Sequence, residues 1–397
     1  MKKREINFGI VGCGLMGREF ASAAARWCHL LDLDFLPKIV AVCDSNANAL
    51  RWFENSHDNI LVTRELERLL ERKDIEAIYC AVPHHLHADL YSQILSAGKH
   101  LLGEKPFGCD KRSNDVIQAA VRRNPKLLVR CSSEFPFYPG AQQIINCVFE
   151  KQFGRIIDVQ AGLLHSSDLD PLKHINWKRT VAHNGPYGSM GDLGMHVVHI
   201  PLRVGWYPLN VRAMLSNIMT ERPNDQGQMV PCDTWDNSTL LCDVKYGDQH
   251  FPMTLVMNRL SPGESNTWYI KIFGTELSAM YSTKEPKTLR MLPYKGGSSQ
   301  DWRVSDMGYK SAYPTITNHI FEFGFTDAVL QMWAAFCDEL ANGGHRMKQP
   351  FYCATPLETA QSHEIFTAAL ESTNLSQVVE LACDESGSED RFMDGLM

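Results

Sequence analysis

Residues 6–17 read Ile6-Asn7-Phe8-Gly9-Ile10-Val11-Gly12-Cys13-Gly14-Leu15-Met16-Gly17, an apolar strand that runs straight into G-x-G-x-x-G. Gly12 allows a tight turn, Gly14 lets backbone approach a pyrophosphate, and Gly17 permits close helix–strand packing. Residues 18–27 are Ala-rich and suit a helix. Its N-terminus, entered through Leu15 and Met16, would offer phosphates free N–H groups and the positive end of the helix dipole. A second apolar run, 38–43, ends in Asp44. A carboxylate at that strand end accepts ribose hydroxyls and repels a 2′-phosphate, which predicts NAD(H) in preference to NADP(H). A bare βα turn with no ligand is the alternative, but strand, glycines, helix and acid stand here in the order that a nucleotide site demands.

The first ~130 residues alternate strand and helix, as a doubly wound parallel sheet requires. Helical patterns at 48–54, 65–72, 86–97 and 110–122 separate apolar strands at 60–62, 77–82, 100–103 and 127–129. The texture then changes. Strand-like runs at 155–164, 211–219, 238–246, 251–260, 268–273 and 277–282, several alternating with period two, follow one another with few helices between them. That predicts a large open, mainly antiparallel sheet. Helices are expected at 140–150, 192–204, 326–342 and 356–371, and polar loops at 220–235 and 295–317. The fold expected is therefore α/β plus α+β. A Rossmann domain occupies 1–133, a substrate and oligomerisation domain 134–383, and an acidic Ser/Gly-rich tail 384–397 is expected to be flexible.

Composition narrows the partners. With a net charge of −7 and no basic stripe, nothing points to nucleic acid. No apolar run approaches the ~20 residues of a membrane span. The basic start, Lys2-Lys3-Arg4, is followed by too short an apolar stretch for a secretory leader, so a cytoplasmic protein is expected. Its twelve cysteines are scattered, without C-x-x-C pairs, and read as reduced core thiols.

Four ordered elements resemble the Gfo/Idh/MocA family of glucose–fructose oxidoreductase, inositol dehydrogenase and rhizopine-catabolism proteins. Beside the glycine motif these are Pro83-His84-His85-Leu86-His87, Glu104-Lys105-Pro106 and Gly188-Ser189-Met190-Gly191-Asp192-Leu193-Gly194-Met195-His196. Beyond residue 210 only the turn Phe273-Gly274-Thr275-Glu276 resembles it. The resemblance implies an oligomer that pairs through the open sheet, and it places His87 near the cofactor, with His84 at the nicotinamide. Three departures fall where the family's substrate cleft is expected. Pro186-Tyr187 stands for a glycine pair, His199 for an Asp, and Glu134-Phe135 for arginines.

Hydride transfer from a secondary alcohol needs a proton acceptor and a donor that holds the oxygen in line. Asp192 and His196, four apart, share one helix face. A carboxylate there can orient the imidazole and raise its midpoint above the free value of about 6.5. Without the resemblance, a surface ion pair or a satisfied core histidine is the better reading. With it, His196 is read as base and Asp192 as its orienter. Lys105, at a strand's carboxyl end, is read as the electrophilic donor. Glu104 would hold that lysine or meet the nicotinamide ribose. Trp177, a sugar-ring wall or equally a core tryptophan, is a substrate candidate with Lys178. A metal at His84, His85 and His87 is rejected, since adjacent histidines seldom converge on one ion. The expectation is an NAD-dependent oxidoreductase acting on a sugar or glycoside, 3-dehydrogenase-like. Inositol or amino-sugar oxidation, a tightly bound recycled NAD, and a non-catalytic NAD sensor are the alternatives.

Overall fold

The computed structural model describes residues 3–307, 310–317, 320–321, 323–349 and 351–382. The acidic tail expected from 384 lies outside the described residues, as do parts of the 295–317 loop. Six strands, β1 (Arg4–Val11), β2 (Phe35–Cys43), β3 (Leu61–Thr63), β4 (Ala77–Cys80), β5 (His100–Gly103) and β6 (Val129–Cys131), form a wholly parallel sheet in the order β3-β2-β1-β4-β5-β6. Helices α1 (Leu15–Ala25), α2 (Ala47–Ser56), α3 (Leu66–Leu70), α4 (His87–Ser96) and α5 (Lys111–Arg123) alternate with them. Parallel strands need such crossovers, and covering both faces explains why β4 and the second half of β1, from Phe8 to Val11, are apolar and buried. The strand order reverses between β1 and β4. In open α/β sheets ligands bind beyond the strand ends at that point.

After α6 (Pro139–Phe149) and β7 (Ile156–Leu164) come α7 (Val181–Asn184), α8 (Ser189–Arg203), β8 (Pro208–Ser216), and a small hairpin of β9 (Glu221–Pro223) and β10 (Met229–Pro231). There follow β11 (Asn237–Tyr246), β12 (Gln249–Asn258), β13 (Thr267–Gly274), β14 (Leu277–Ser282), β15 (Thr288–Pro293), β16 (Arg303–Asp306), α9 (Phe325–Asn342), α10 (Pro356–Leu375) and β17 (Val379–Glu380). Nine of these strands form one sheet, β16-β15-β14-β13-β7-β12-β11-β8-β17. It is antiparallel except where β7 lies parallel to β12. β7 precedes the helical segment, and the later strands close around it on both sides. The short strands β9, β10 and β16 fall in stretches expected as loop, and β15 in a stretch to which the sequence assigned no element. Too short or too polar to show an alternating face, they gain their pairing from a neighbouring strand.

Along β11 every second residue from Ser238 to Val244 is buried, while Leu241 is exposed. The buried face carries α8 and α10. α8 is buried over its whole length. Gly194 in α8 is small because α10 crosses there: a Cβ would sit 2.2 Å from the ring of Phe366. Arg203 at the end of α8 grips Glu358 at the start of α10 through Nε to Oε1 at 2.6 Å and NH2 to Oε2 at 3.0 Å.

The last helices return to the first sheet. Trp333 of α9 stacks on Phe20 of α1, with ring centroids 3.4 Å apart, and meets Phe8 of β1 edge-on. Arg26 pairs with Asp327 and Arg130 of β6 with Glu339. The division of the chain at 133/134 stands as a proposal from strand order, with α9 crossing back over it. Among the described residues no helix is long and apolar enough to cross a membrane.

Candidate active site

A cleft of about 910 Å³ opens at the switch point between β1 and β4 and runs to the middle of α8. At its near end lie Gly12, Gly14, Leu15, Met16 and Asp44. Gly12 has φ +94°, and a Cβ there would meet the carbonyl of Ala81 at 2.1 Å. A Cβ on Gly17 would sit 2.1 Å from the carbonyl of Gly12, so Gly17 seats the helix on the turn and does not itself line the cleft. A Cβ on Gly14 would meet nothing within 4 Å. The N-terminus of α1 carries no side-chain cap. This open backbone, with uncapped N–H groups, fits a pyrophosphate. Asp44 is held by backbone, accepting from Cys13 N at 2.7 Å and from Asn46 N at 2.8 Å. Arg64, just past β3, faces the same end and had no motif to mark it.

Pro83 and His84 line the middle of the cleft, and the ring of His84 meets that of Trp177 edge-on at 4.8 Å. His87 departs from expectation. Its Nε2 bonds Val82 O at 3.0 Å and its Nδ1 accepts from Gly108 N at 3.3 Å. Fully buried, it fixes backbone behind the cleft instead of lining it. His85 lies outside as well, against His183.

The far end is built around Asp192. Lys105, joined to Pro106 by a cis peptide bond, donates through Nζ to Asp192 Oδ1 at 2.8 Å and to its carbonyl at 2.6 Å. Lys178 Nζ reaches Oδ1 at 2.9 Å, and Arg259 NH2 reaches Oδ2 at 3.1 Å. Burial pushes the Asp192 carboxyl up, but Lys105, Lys178 and Arg259 outweigh it and hold it well below the usual carboxylate range. Burial likewise pulls Lys105 down, and Asp192 and Glu104 more than restore it. Glu104 makes no hydrogen bond to the lysine among the described residues; its Oε1 accepts from Tyr79 OH at 2.6 Å.

Asp192 is therefore the partner of Lys105 and not the orienter of His196. His196 Nδ1 instead faces Ser133 Oγ at 3.2 Å and Glu134 Oε2 at 3.9 Å. Nor is the imidazole midpoint raised. Burial, then Lys105, push it well below the free value, and Asp192 offsets only part of this. Of the three departures from the family pattern, only Glu134-Phe135 lines the cleft. His199 is buried against Arg203, with NH2 to Nε2 at 3.0 Å, and Tyr187 packs on α10 through Thr367. Phe135, Leu163, His165, Asn266 and Phe325 complete the wall with Trp177 and Lys178. Glu134 is marked in the sequence only as a departure near the expected cleft, and its position gives a second reason. It follows the carboxyl end of β6 as Glu104-Lys105 follows that of β5. Arg259, beyond β12, had no such signal.

Residues 6–131 match the model of an oxidoreductase family with an NAD-binding Rossmann fold, Gfo/Idh/MocA. Over these residues the chain carries that family's NAD-binding Rossmann domain. It is 26% identical over 231 residues to a levoglucosan dehydrogenase of Pseudarthrobacter phenanthrenivorans, a match covering 56% of this chain and 57% of that protein. It is 22% identical over 291 residues to a glucose-6-phosphate 3-dehydrogenase of Bacillus subtilis, covering 72% of this chain and 76% of that one. A solved levoglucosan dehydrogenase in complex with NADH and levoglucosan superposes with TM-score 0.83 at 21% identity, over 96% of this chain and all of that one. At that identity the likeness is one of fold.

Asp192→Asn is expected to leave Lys105, Lys178 and Arg259 without their carboxylate and to cost about 3–5 kcal/mol in urea unfolding. Because the carboxyl is held down in the fold, its stabilisation is complete above the unfolded value near 4 and is lost as pH falls below it. The variant should lack that acid-side slope. An unchanged midpoint with the slope intact would show that the cluster contributes nothing.

Proposed function

We propose that this protein is an NAD-dependent oxidoreductase that oxidises a secondary hydroxyl of an uncharged sugar or glycoside, in the manner of a 3-dehydrogenase. The observation that carries the reading is the meeting of Lys105, Asp192 and His196 at one end of a cleft whose other end is a glycine turn with Asp44. When bound, NAD supplies the hydride acceptor. Gly14, Leu15 and Met16 would hold its pyrophosphate, and Asp44 the adenosine ribose.

The residues divide the remaining work. His196 is neutral at ordinary pH, and among the described residues its Nε2 has no hydrogen-bond partner. It is the group that takes the hydroxyl proton. Lys105 gives two N–H bonds to Asp192, and its third is left for the substrate oxygen as charge develops there. Asp192 keeps the ammonium charged and aimed. Trp177 and Phe135 offer flat apolar faces to a sugar ring.

The charge balance favours an uncharged substrate. Among the described residues lining the far end, the cations are Lys105 and Lys178, and both are paired to Asp192. A phosphate ester would have to compete for them. A screen of glycosides, anhydrosugars, inositols and amino sugars beside sugar phosphates is expected to give NAD reduction with an uncharged member. Turnover confined to phosphates would reverse the assignment. The described cysteines carry free thiols, which supports the cytoplasm as its compartment.

His196→Ala should lower turnover by about 10²–10⁴ with NAD binding intact. Lys105→Met should lower it too, and the double variant should lose less than the product of the two, because both act on one oxygen. Near-normal turnover of a folded, NAD-saturated His196→Ala protein would place the base elsewhere.

Asp44→Ala should relax discrimination against NADP(H), since Arg64 would then meet a 2′-phosphate unopposed. Equal affinity of the unaltered protein for both cofactors would contradict the role given to Asp44.

We also propose that the open face of the nine-stranded sheet, with Met214 76% and Leu241 55% exposed, pairs two or more copies. Light scattering at micromolar concentration should show no monomer. A single monomeric species would refute the pairing.

A further inference from the structure

Accepting a proton leaves His196 in difficulty. An imidazolium there would be buried on α8, near Lys105, with Asp192 already shared among three cations. One acid lies on its other side. Glu134 is 4% exposed, lines the cleft, and sets Oε2 3.9 Å from Nδ1 of His196. Catalytic contacts commonly stand this far apart before substrate binds.

We propose that His196 and Glu134 handle the substrate proton as a pair, the imidazole taking it from the hydroxyl and the carboxylate of Glu134 receiving one in turn. This rests on the oxidoreductase reading above. The steps balance. The substrate O–H bond breaks and its electrons become the carbonyl π bond, while the carbinol hydrogen and its electron pair would be taken up by NAD when bound. Nε2–H forms on His196, Nδ1–H breaks, and O–H forms on Glu134. The imidazole ends neutral in its other tautomer, and the carboxyl later gives its proton to water. Glu134 is thus a positioning and proton-holding residue, acting on substrate through His196.

The groups facing Glu134 set its proton affinity. They are Glu104 and Lys105 from the end of β5, Tyr79 from β4, Tyr138 from the turn before α6, and His196 from α8. Burial, then Glu104, push its carboxyl up to about 8, and Lys105 offsets only part of that. Below about pH 8 the resting pair therefore carries its proton on Glu134, and the acceptor is full. Oxidation requires it empty and should rise with pH through this value. Reduction of the ketone requires it full and should fall.

Two measurements test this. In a difference-infrared titration of the substrate-free protein, the carbonyl stretch of a protonated carboxyl should vanish with a midpoint near 8 and be missing from Glu134→Gln. No such band, or one that survives the substitution, overturns the proposal. With a sugar from the screen, kcat for oxidation should rise through the same pH in the unaltered protein. In Glu134→Gln it should be flat and about 10²-fold lower, with KM changed less. Glu134→Asp, which keeps a carboxylate, should recover part of the rate and the pH rise. A Glu134→Gln enzyme that is slow but keeps the rise would show a merely structural role. If no sugar is turned over, the functional assignment falls, and the infrared titration alone decides where the proton sits.

Discussion

The site hangs on one buried ion pair between the two sheets' territories. Lys105 leaves the end of β5, Asp192 sits in the first turn of α8, and their 2.8 Å contact joins the parallel sheet to the layer behind it. A buried pair is weak evidence for stability, because desolvation offsets much of its attraction. Here it has company. Lys178 and Arg259 approach the same carboxylate from the segment before α7 and the end of β12. Arg259 also bonds the carbonyl of Lys178 at 3.0 Å. Residues from three distant stretches of the chain, around 105, 178–192 and 259, are thereby fixed around one point.

That arrangement changes what each charged group can do. The carboxylate is held ionised by its cations, and Lys105 is held charged by the carboxylate. The histidine one turn along the helix is left out of the network and stays neutral. Two titratable groups on one helix face are thus held in opposite charge states by environment. The carboxylate fixes a cation, and the imidazole is a lone pair without a proton to lose first.

Much of this was legible in the chain. The glycine turn, the acid at the end of β2 and the order of the first six strands follow from local patterns whose geometry is nearly forced. Lys105, Asp192 and His196 could be named because their spacing is short-range and their motifs are dense. The pairing among them could not. The i, i+4 relation made Asp192 and His196 neighbours on a helix, but a long-range lysine reached the carboxylate first. His87 shows the same limit, since no local signal told that both its nitrogens would bind backbone. Arg259 and Arg64 are brought to the cleft by the fold alone. The strand ends of a parallel sheet all open on one side, so Glu134 after β6, placed near the cleft by the resemblance, also follows from Glu104-Lys105 after β5.

The return of α9 to the first sheet bears on how the molecule can move and be divided. Trp333 lies against Phe20 and Phe8, and ion pairs to Arg26 and Arg130 flank it. The nucleotide-binding half is thus closed by a helix from the far end of the sequence. Cut free near residue 133, that half would show bare aromatic rings to water. The same clasp ties the two halves together at a second place, so any movement of one against the other would have to carry or break this aromatic packing and both ion pairs.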